Sequence, residues 1–271
     1  VIKIKETKYK IKAVAFDLDG VVYYGNELAS GILKVVDEIS RMGLEIFYVT
    51  NNSAKSREEI ASKLVGFGIN VDVDHIYSSG YATAVYLADL QDITKKKILT
   101  IGSDGLKKEI HNQGLCLVEE SPCDFLIVGY DVNFSYEKIC IGLDAILGGA
   151  RFVACNLVAN YPGEGRQLKP GCFAMVAAIE AASQKEPDIV IGKPNIHMIE
   201  KLAIKHRLKP DEIVMVGDSV EYDITMAKHF GCHSVLLENE YNSGEKADDI
   251  TPEFTINETT MLTQIIEYNF Q

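Results

Sequence analysis

The feature that most constrains the fold is a rhythm. Short runs of β-branched, aromatic and other apolar residues alternate with amphipathic stretches from end to end. Strand character is predicted for Lys12–Phe16, Glu45–Val49, Lys97–Ile101, Asp124–Val128, Arg151–Ala154, Asp188–Ile191, Ile213–Val216 and Ser234–Leu237. Between them, Ile32–Arg41, Arg57–Val65, Tyr136–Leu147 and Phe173–Ser183 repeat apolar residues at three- and four-residue spacing, the period of a helix with one buried stripe. The alternation predicts an α/β protein, a parallel sheet with helices on both faces. Ligands bind such sheets at the carboxyl ends of the strands, so the residues just after each strand are where chemistry is expected.

Four of those ends are chemically loaded: AFDLDG after the first strand, VTNNS at 49–53, IGKPN at 191–195 and VGDSVEYD at 216–223. Thr50 and Lys193 lie more than 140 residues apart, several times the length of a β-α-β crossover of about 30 residues. If both line one site, the intervening stretch must hold a separate unit. The chain, at 271 residues, is long enough for two domains. The expected arrangement is a discontinuous core of residues 1–82 plus 186–271, with an α/β insertion at 83–185.

Asp17 and Asp19 are two positions apart, so in an extended segment both carboxylates point to the same side. Two such groups resist ionising together unless a cation sits between them. A hard ion with oxygen ligands, Mg²⁺, suits the pair, and Gly20 lets the chain bend away. Taken alone, the same D-x-D-G also suits an ordinary acidic turn. Thr50 and Asn51 offer a hydroxyl and backbone N–H groups that can grip phosphate oxygens without net charge. Ser53 or Ser56 could equally serve as the cap of the helix that follows. Lys193 stands at an apolar strand end, where an ammonium must find an anion or escape to solvent. Asp218 and Asp223 complete the set; Asp223 alone could be a first-turn residue favoured by the helix dipole.

The net charge of −12 argues against nucleic acid or an anionic membrane as partner, since both call for a basic surface. It also means that an anionic substrate has to be attracted locally, by a metal ion and one or two cations. Apolar stretches are broken by Asp144, Arg151 or glycine pairs well short of the roughly 20 residues of a membrane span. The N-terminal VIKIKETKYK lacks a following hydrophobic block, so it is not expected to be a signal peptide. Six cysteines without a C-x-x-C pair suit buried, reduced thiols and a cytoplasmic location. The six histidines show no ligand spacing beside the aspartate motifs and are expected to be surface or packing residues. Gly102-Ser103-Asp104-Gly105 lacks a full nucleotide fingerprint and is expected to open a helix.

Taken together, DLDGVVYYGNELASG, VTNNSAKSREEIASKLVGFGI, VGYDVNFSYEKI, LKPGCFAMVAAIEAAS, VIGKPN and VGDSVEYDITMAKHFG resemble the haloacid dehalogenase superfamily of phosphatases, specifically its NagD-like, nitrophenylphosphatase branch. The resemblance implies a Rossmann-like doubly wound core with an inserted α/β cap and a Mg²⁺-dependent phosphatase acting on a small phosphorylated molecule. Sugar phosphate, phosphoglycolate-like, nucleotide and p-nitrophenyl phosphate substrates all stay open, as does assembly into a homo-oligomer. It further implies that Asp17 is a nucleophile that becomes an aspartyl-phosphate and that Asp19 is an acid and then a base. Thr50 and Asn51 would hold phosphate oxygens, and Lys193 would neutralise charge. Mg²⁺ would be bound by Asp17, the Asp19 carbonyl and Asp218, with Asp223 in support.

Two positions depart from the pattern: Val21 stands where many relatives carry Thr, and ACNLV at 154–158 stands where relatives have a T-N-P-D-like sequence. Asn156 is kept, and Leu157 and Val158 offer apolar surface. Asn156 and Val158 are therefore the expected specificity positions. A receiver-like phospho-aspartate signalling module without turnover shares the strand-end Asp, Thr and Lys. It is small, however, and has neither an insertion nor an acid two residues after the nucleophile.

Overall fold

The computed structural model describes residues 10–162, 167–239 and 250–270. Residues 1–9, 163–166, 240–249 and 271 lie outside the described residues. The chain forms two compact units. One comprises residues up to Thr50, Lys63–Tyr77 and Lys193 onward; the other comprises Asn51–Ser62 and Ser78–Gly192.

The first unit is built on a six-stranded sheet in the order Phe254–Ile256, His233–Leu237, Ile213–Gly217, Ala13–Phe16, Glu45–Thr50, Ile76–Ser78. The first five of these strands run parallel. Ala13–Phe16 lies between two neighbours, Ala13 against Ile213 and Glu45, Phe16 against Val216 and Tyr48. All four of its residues are buried, which is why it reads as a continuous apolar run rather than an alternating one. Helix Ile32–Arg41 buries Ile32, Val35 and Ile39, the spacing of one helical face.

The second unit has its own parallel sheet, ordered Ile189–Val190, Arg151–Ala154, Phe125–Val128, Lys97–Ile101, Cys116–Val118. Helices Tyr136–Leu147 and Cys172–Ser183 pack on it around Leu126, Val128, Phe152, Val176 and Ile179. Ser103 is the N-cap of helix Asp104–Asn112, so GSDG is a helix entry as expected.

Two expected boundaries shift. Position 83 falls inside helix Ser79–Ala88. The segment Asp188–Ile191, expected in the core, pairs its Ile189 with Val153 and its Val190 with Ala154 in the second sheet. Both residues are only half-buried, as suits a short edge strand. A run of β-formers carries no record of which sheet it joins. Among the described residues, no helix is long and apolar enough to cross a membrane.

Candidate active site

Within the first unit, strand Ala13–Phe16 delivers Asp17, whose N–H donates to the Val216 carbonyl at 2.8 Å. The chain then turns: the Leu18 carbonyl accepts from the N–H groups of Val22 at 2.9 Å and Tyr23 at 3.1 Å. Gly20 is essential twice over. Its φ of +90° is left-handed, and a Cβ there would lie 2.0 Å from Asp218 Oδ2. Asp19 sits in this turn, bridged to Tyr23, and not in an extended strand. Its charge still reaches Asp17 and Asp218.

The neighbouring strand Ile213–Gly217 ends at Asp218, and a single π-helical turn, Val220–Ile224, follows. Such turns often occur at functional sites, and this one presents Asp223. Gly217 is the close-approach glycine for Asp223, since a Cβ would lie 2.2 Å from the Asp223 Cβ. The Ser219 N–H donates to Asp223 Oδ2 at 3.2 Å. Lys193 is the hub. Its Nζ donates to Asp17 Oδ1 at 2.5 Å, Asp223 Oδ1 at 2.7 Å and the Val49 carbonyl at 3.0 Å, and the residue is only 3% exposed. Thr50, buried at the end of Glu45–Thr50, directly follows that carbonyl.

The electrostatics follow from this packing. Burial lifts the Asp17 carboxyl to about 7; Lys193 pulls the other way, while Asp223 and Asp19 add to the rise. Asp218 is raised well above the usual carboxylate range by burial, then by Asp17 and Asp223. For Lys193, burial works to lower the pKa, but Asp17 and Asp223 overcome it and hold the ammonium charged. The Tyr23 hydroxyl is pushed up by burial and by the charges of Asp19 and Asp17. Oxygen atoms of Asp17, Asp218 and Asp223 lie within 4.8 Å of one another. Three crowded carboxylates with one ammonium leave an excess of negative charge. The donors are all hard oxygens, so the site fits a divalent cation of the Mg²⁺ type.

This excess has a measurable consequence. A folded-state carboxyl pKa raised from 3.8 to about 7 gives stability that is complete below about pH 4 and lost as pH rises through about 7. In chelator, stability is therefore expected to fall across that window. Mg²⁺, which needs the ionised carboxylates, is expected to raise Tm more at about pH 8 than at about pH 5. Thermal melts at the two pH values check this; an equal Mg²⁺ shift at both would exclude these carboxylates as its ligands.

In the second unit, Asn52 Oδ1 accepts from the N–H groups of Ala54 at 2.9 Å and Lys55 at 3.0 Å. Ser56 and Glu59 form a reciprocal capping box: the Ser56 N–H donates to Glu59 Oε2 and the Glu59 N–H to Ser56 Oγ. Ser56 is thus the helix cap, and Ser53 Oγ instead accepts from the Tyr130 N–H at 2.9 Å. The Asn51 carbonyl accepts from Ser79 Oγ at 2.8 Å and from Asn156 Nδ2 at 2.7 Å.

Asn156, expected to face a substrate, is buried, and its Oδ1 accepts from the Val158 N–H at 3.1 Å. Both ends of its amide are engaged within the unit, the Nδ2 on the Asn51 carbonyl and the Oδ1 on the Val158 N–H. Val158 is half-buried, its carbonyl held by the Phe173 N–H at 3.0 Å. Ser79, Ser219 and Tyr23 escaped sequence reasoning. Ser79 lies outside the motifs and its partners, Asn51 and Asn156, are distant in sequence. Ser219 and Tyr23 lie inside the motif segments, but what they touch is set by local turns that spacing alone does not reveal.

A parallel sheet that gathers carboxylates and a buried lysine at its carboxyl edge defines a class of α/β enzymes that handle anions with the help of a cation. The haloacid dehalogenase-like hydrolase model matches residues 14–116, and a HAD-hydrolase-like model matches 190–261. The chain is 31% identical over 265 residues to the sugar-phosphatase AraL of Bacillus subtilis, covering 97% of this chain and 96% of that protein. It is 31% identical over 248 residues to the chloroplastic phosphoglycolate phosphatase 1A of Arabidopsis thaliana, with 84% and 68% covered. Among solved structures, the p-nitrophenyl phosphatase of Archaeoglobus fulgidus superposes with a TM-score of 0.87 at 26% identity, over 94% of this chain and 99% of that one. The chain belongs to the haloacid dehalogenase-like hydrolases, among relatives named as phosphatases and in a family that is generally metal-dependent.

Proposed function

We propose that this protein is a Mg²⁺-dependent phosphatase that hydrolyses small phosphomonoesters through an aspartyl-phosphate on Asp17. The observation that carries the reading is the buried Lys193, hydrogen-bonded at once to Asp17 and Asp223 in a cluster with Asp218. In this reading an Asp17 oxygen attacks phosphorus, the P–O bond to the leaving group breaks, and Asp19 gives that oxygen its proton. Asp19 then takes a proton from water, whose oxygen attacks phosphorus and releases phosphate and free Asp17. Dividing the reaction replaces one difficult step with two easier ones. Lys193 holds Asp17 in place, while the Thr50 hydroxyl and Asn51 N–H hold phosphate oxygens. Asp17, the Asp19 carbonyl and Asp218 would bind Mg²⁺, with Asp223 in support; the ion supplies charge neutralisation for the transferring phosphoryl group.

The unit containing Asp17, Lys193 and Asp218 is assigned as the catalytic body, and the inserted α/β unit as its cap. The range of named relatives, from sugar phosphatase to phosphoglycolate phosphatase, supports a small phosphorylated metabolite as substrate. Free cysteines support work in the cytoplasm.

Turnover of p-nitrophenyl phosphate and a panel of alkyl phosphates, with and without Mg²⁺, tests the reading. Within that assay, Asp19→Asn is expected to slow alkyl phosphates about 10²–10⁴-fold and p-nitrophenyl phosphate much less. An alkoxide needs the proton, and nitrophenolate leaves unaided. Equal losses on both would reduce Asp19 to a support for the metal.

A further inference from the structure

At the opposite end of the catalytic unit's sheet, three residues distant in sequence converge. Glu45 opens the strand that ends at Thr50, His75 immediately precedes edge strand Ile76–Ser78, and His206 closes helix His197–His206. One ligand atom from each lies within 4.8 Å of the other two. His206 Nδ1 is 3.6 Å from Glu45 Oε2. Thr50 stands five residues further along the strand, about 17 Å away at strand rise, so this cluster is separate from the aspartates. We propose that Glu45, His75 and His206 form a second cation site, for a borderline transition metal of the Zn²⁺ class.

The donor chemistry decides the class. Two imidazoles and one carboxylate are a common three-ligand set for Zn²⁺, with water in the fourth position, whereas Mg²⁺ prefers oxygen throughout. The ligands are also held in place. Buried Phe47 lies against both rings, with centroids 4.8 Å from His75 and 4.4 Å from His206. His206 Nε2 meets the hydroxyl of buried Tyr77 at 3.1 Å, the outer bond that typically orients a metal-binding imidazole. That leaves Nδ1 on the Glu45 side. Glu45 and His75 border an open groove of about 550 Å³ that also includes Asp72, giving an ion and its water a route in. Asp74 is paired with Lys205 at 2.8 Å and is not needed as a ligand. A bound ion would tie the second strand, the edge strand and the helix end together.

The test is a Co²⁺ titration of the full chain in excess Mg²⁺, read by visible absorption, with Zn²⁺ melts alongside. One equivalent of Co²⁺ is expected to give the intense bands of a low-coordinate nitrogen-containing site, displaced by Zn²⁺. An all-oxygen, six-coordinate site at the aspartates gives only weak ones. Asp218→Asn is expected to keep the bands, and His75→Ala and His206→Ala to lose them. Zn²⁺ is expected to raise Tm by several degrees in the parent and not in His75→Ala. His206→Ala also removes packing on Phe47; if it fails to fold, His75→Ala and Glu45→Gln, both at partly or fully exposed positions, decide the matter. Absence of the bands, their survival in His75→Ala, or their loss in Asp218→Asn would overturn the site.

Discussion

Asp17→Asn is expected to lower kcat on p-nitrophenyl phosphate by at least about 10⁴-fold, the scale on which removal of a covalent nucleophile acts. The amide keeps the shape of the carboxyl and can still accept from Lys193 Nζ through Oδ1. What it loses is the charge and the nucleophilic oxygen. Because burial and neighbouring carboxylates already lift the Asp17 pKa to about 7, removing this charge relieves repulsion. In chelator the variant is therefore expected to melt no lower than the parent, and Mg²⁺ is expected to raise its Tm less. Steady-state kinetics and paired melts check both halves. Retained turnover would remove Asp17 from the nucleophile's role; a collapsed fold would instead show that the charge is structurally required.

Lys193→Met is expected to produce the largest loss of stability, about 3–5 kcal/mol, because taking one partner from a buried ion pair leaves the other charge uncompensated. Here two partners are left, Asp17 and Asp223, and the Val49 carbonyl loses its donor as well. In a chain of this size that corresponds to a fall in Tm of roughly 6–20 °C. Activity is expected to vanish with it. The double change Lys193→Met with Asp223→Asn should recover part of the stability, since one stranded carboxylate is gone, without recovering turnover. Stability recovered together with activity would mean that Lys193 balances charge only and does not position Asp17. Denaturant melts and kinetics on both variants separate these outcomes.

How much of this was written in the chain varies by element. Helices Ile32–Arg41 and Tyr136–Leu147 match their expected bounds, because an amphipathic stripe repeats enough times to mark both ends. Strands Lys97–Ile101 and Arg151–Ala154 were equally clear. Strands Ile76–Ser78 and Phe254–Ile256 were not foreseen. Each has only three residues at a sheet edge, too few for a period to emerge, and pairing with a neighbour creates them.

The chemistry divides along the same line. Asp17, Thr50 and Asp218 were recognisable because each ends or follows a strand run of one parallel sheet, which turns such positions toward one edge. Lys193 stood out as a lysine after an apolar run, although that run pairs in the other sheet. The sequence by itself determined the residue types at that edge, including the glycines without which Asp218 and Asp223 could not approach so closely. Only the tertiary structure decided that Lys193 joins Asp17 to Asp223, that Asn156 turns inward to hold Asn51, and that Glu45, His75 and His206 meet. Those contacts join residues from 30 to 176 positions apart. Sequence periodicity carries only local geometry, and such meetings depend on strand order and on how helices pack across the sheet.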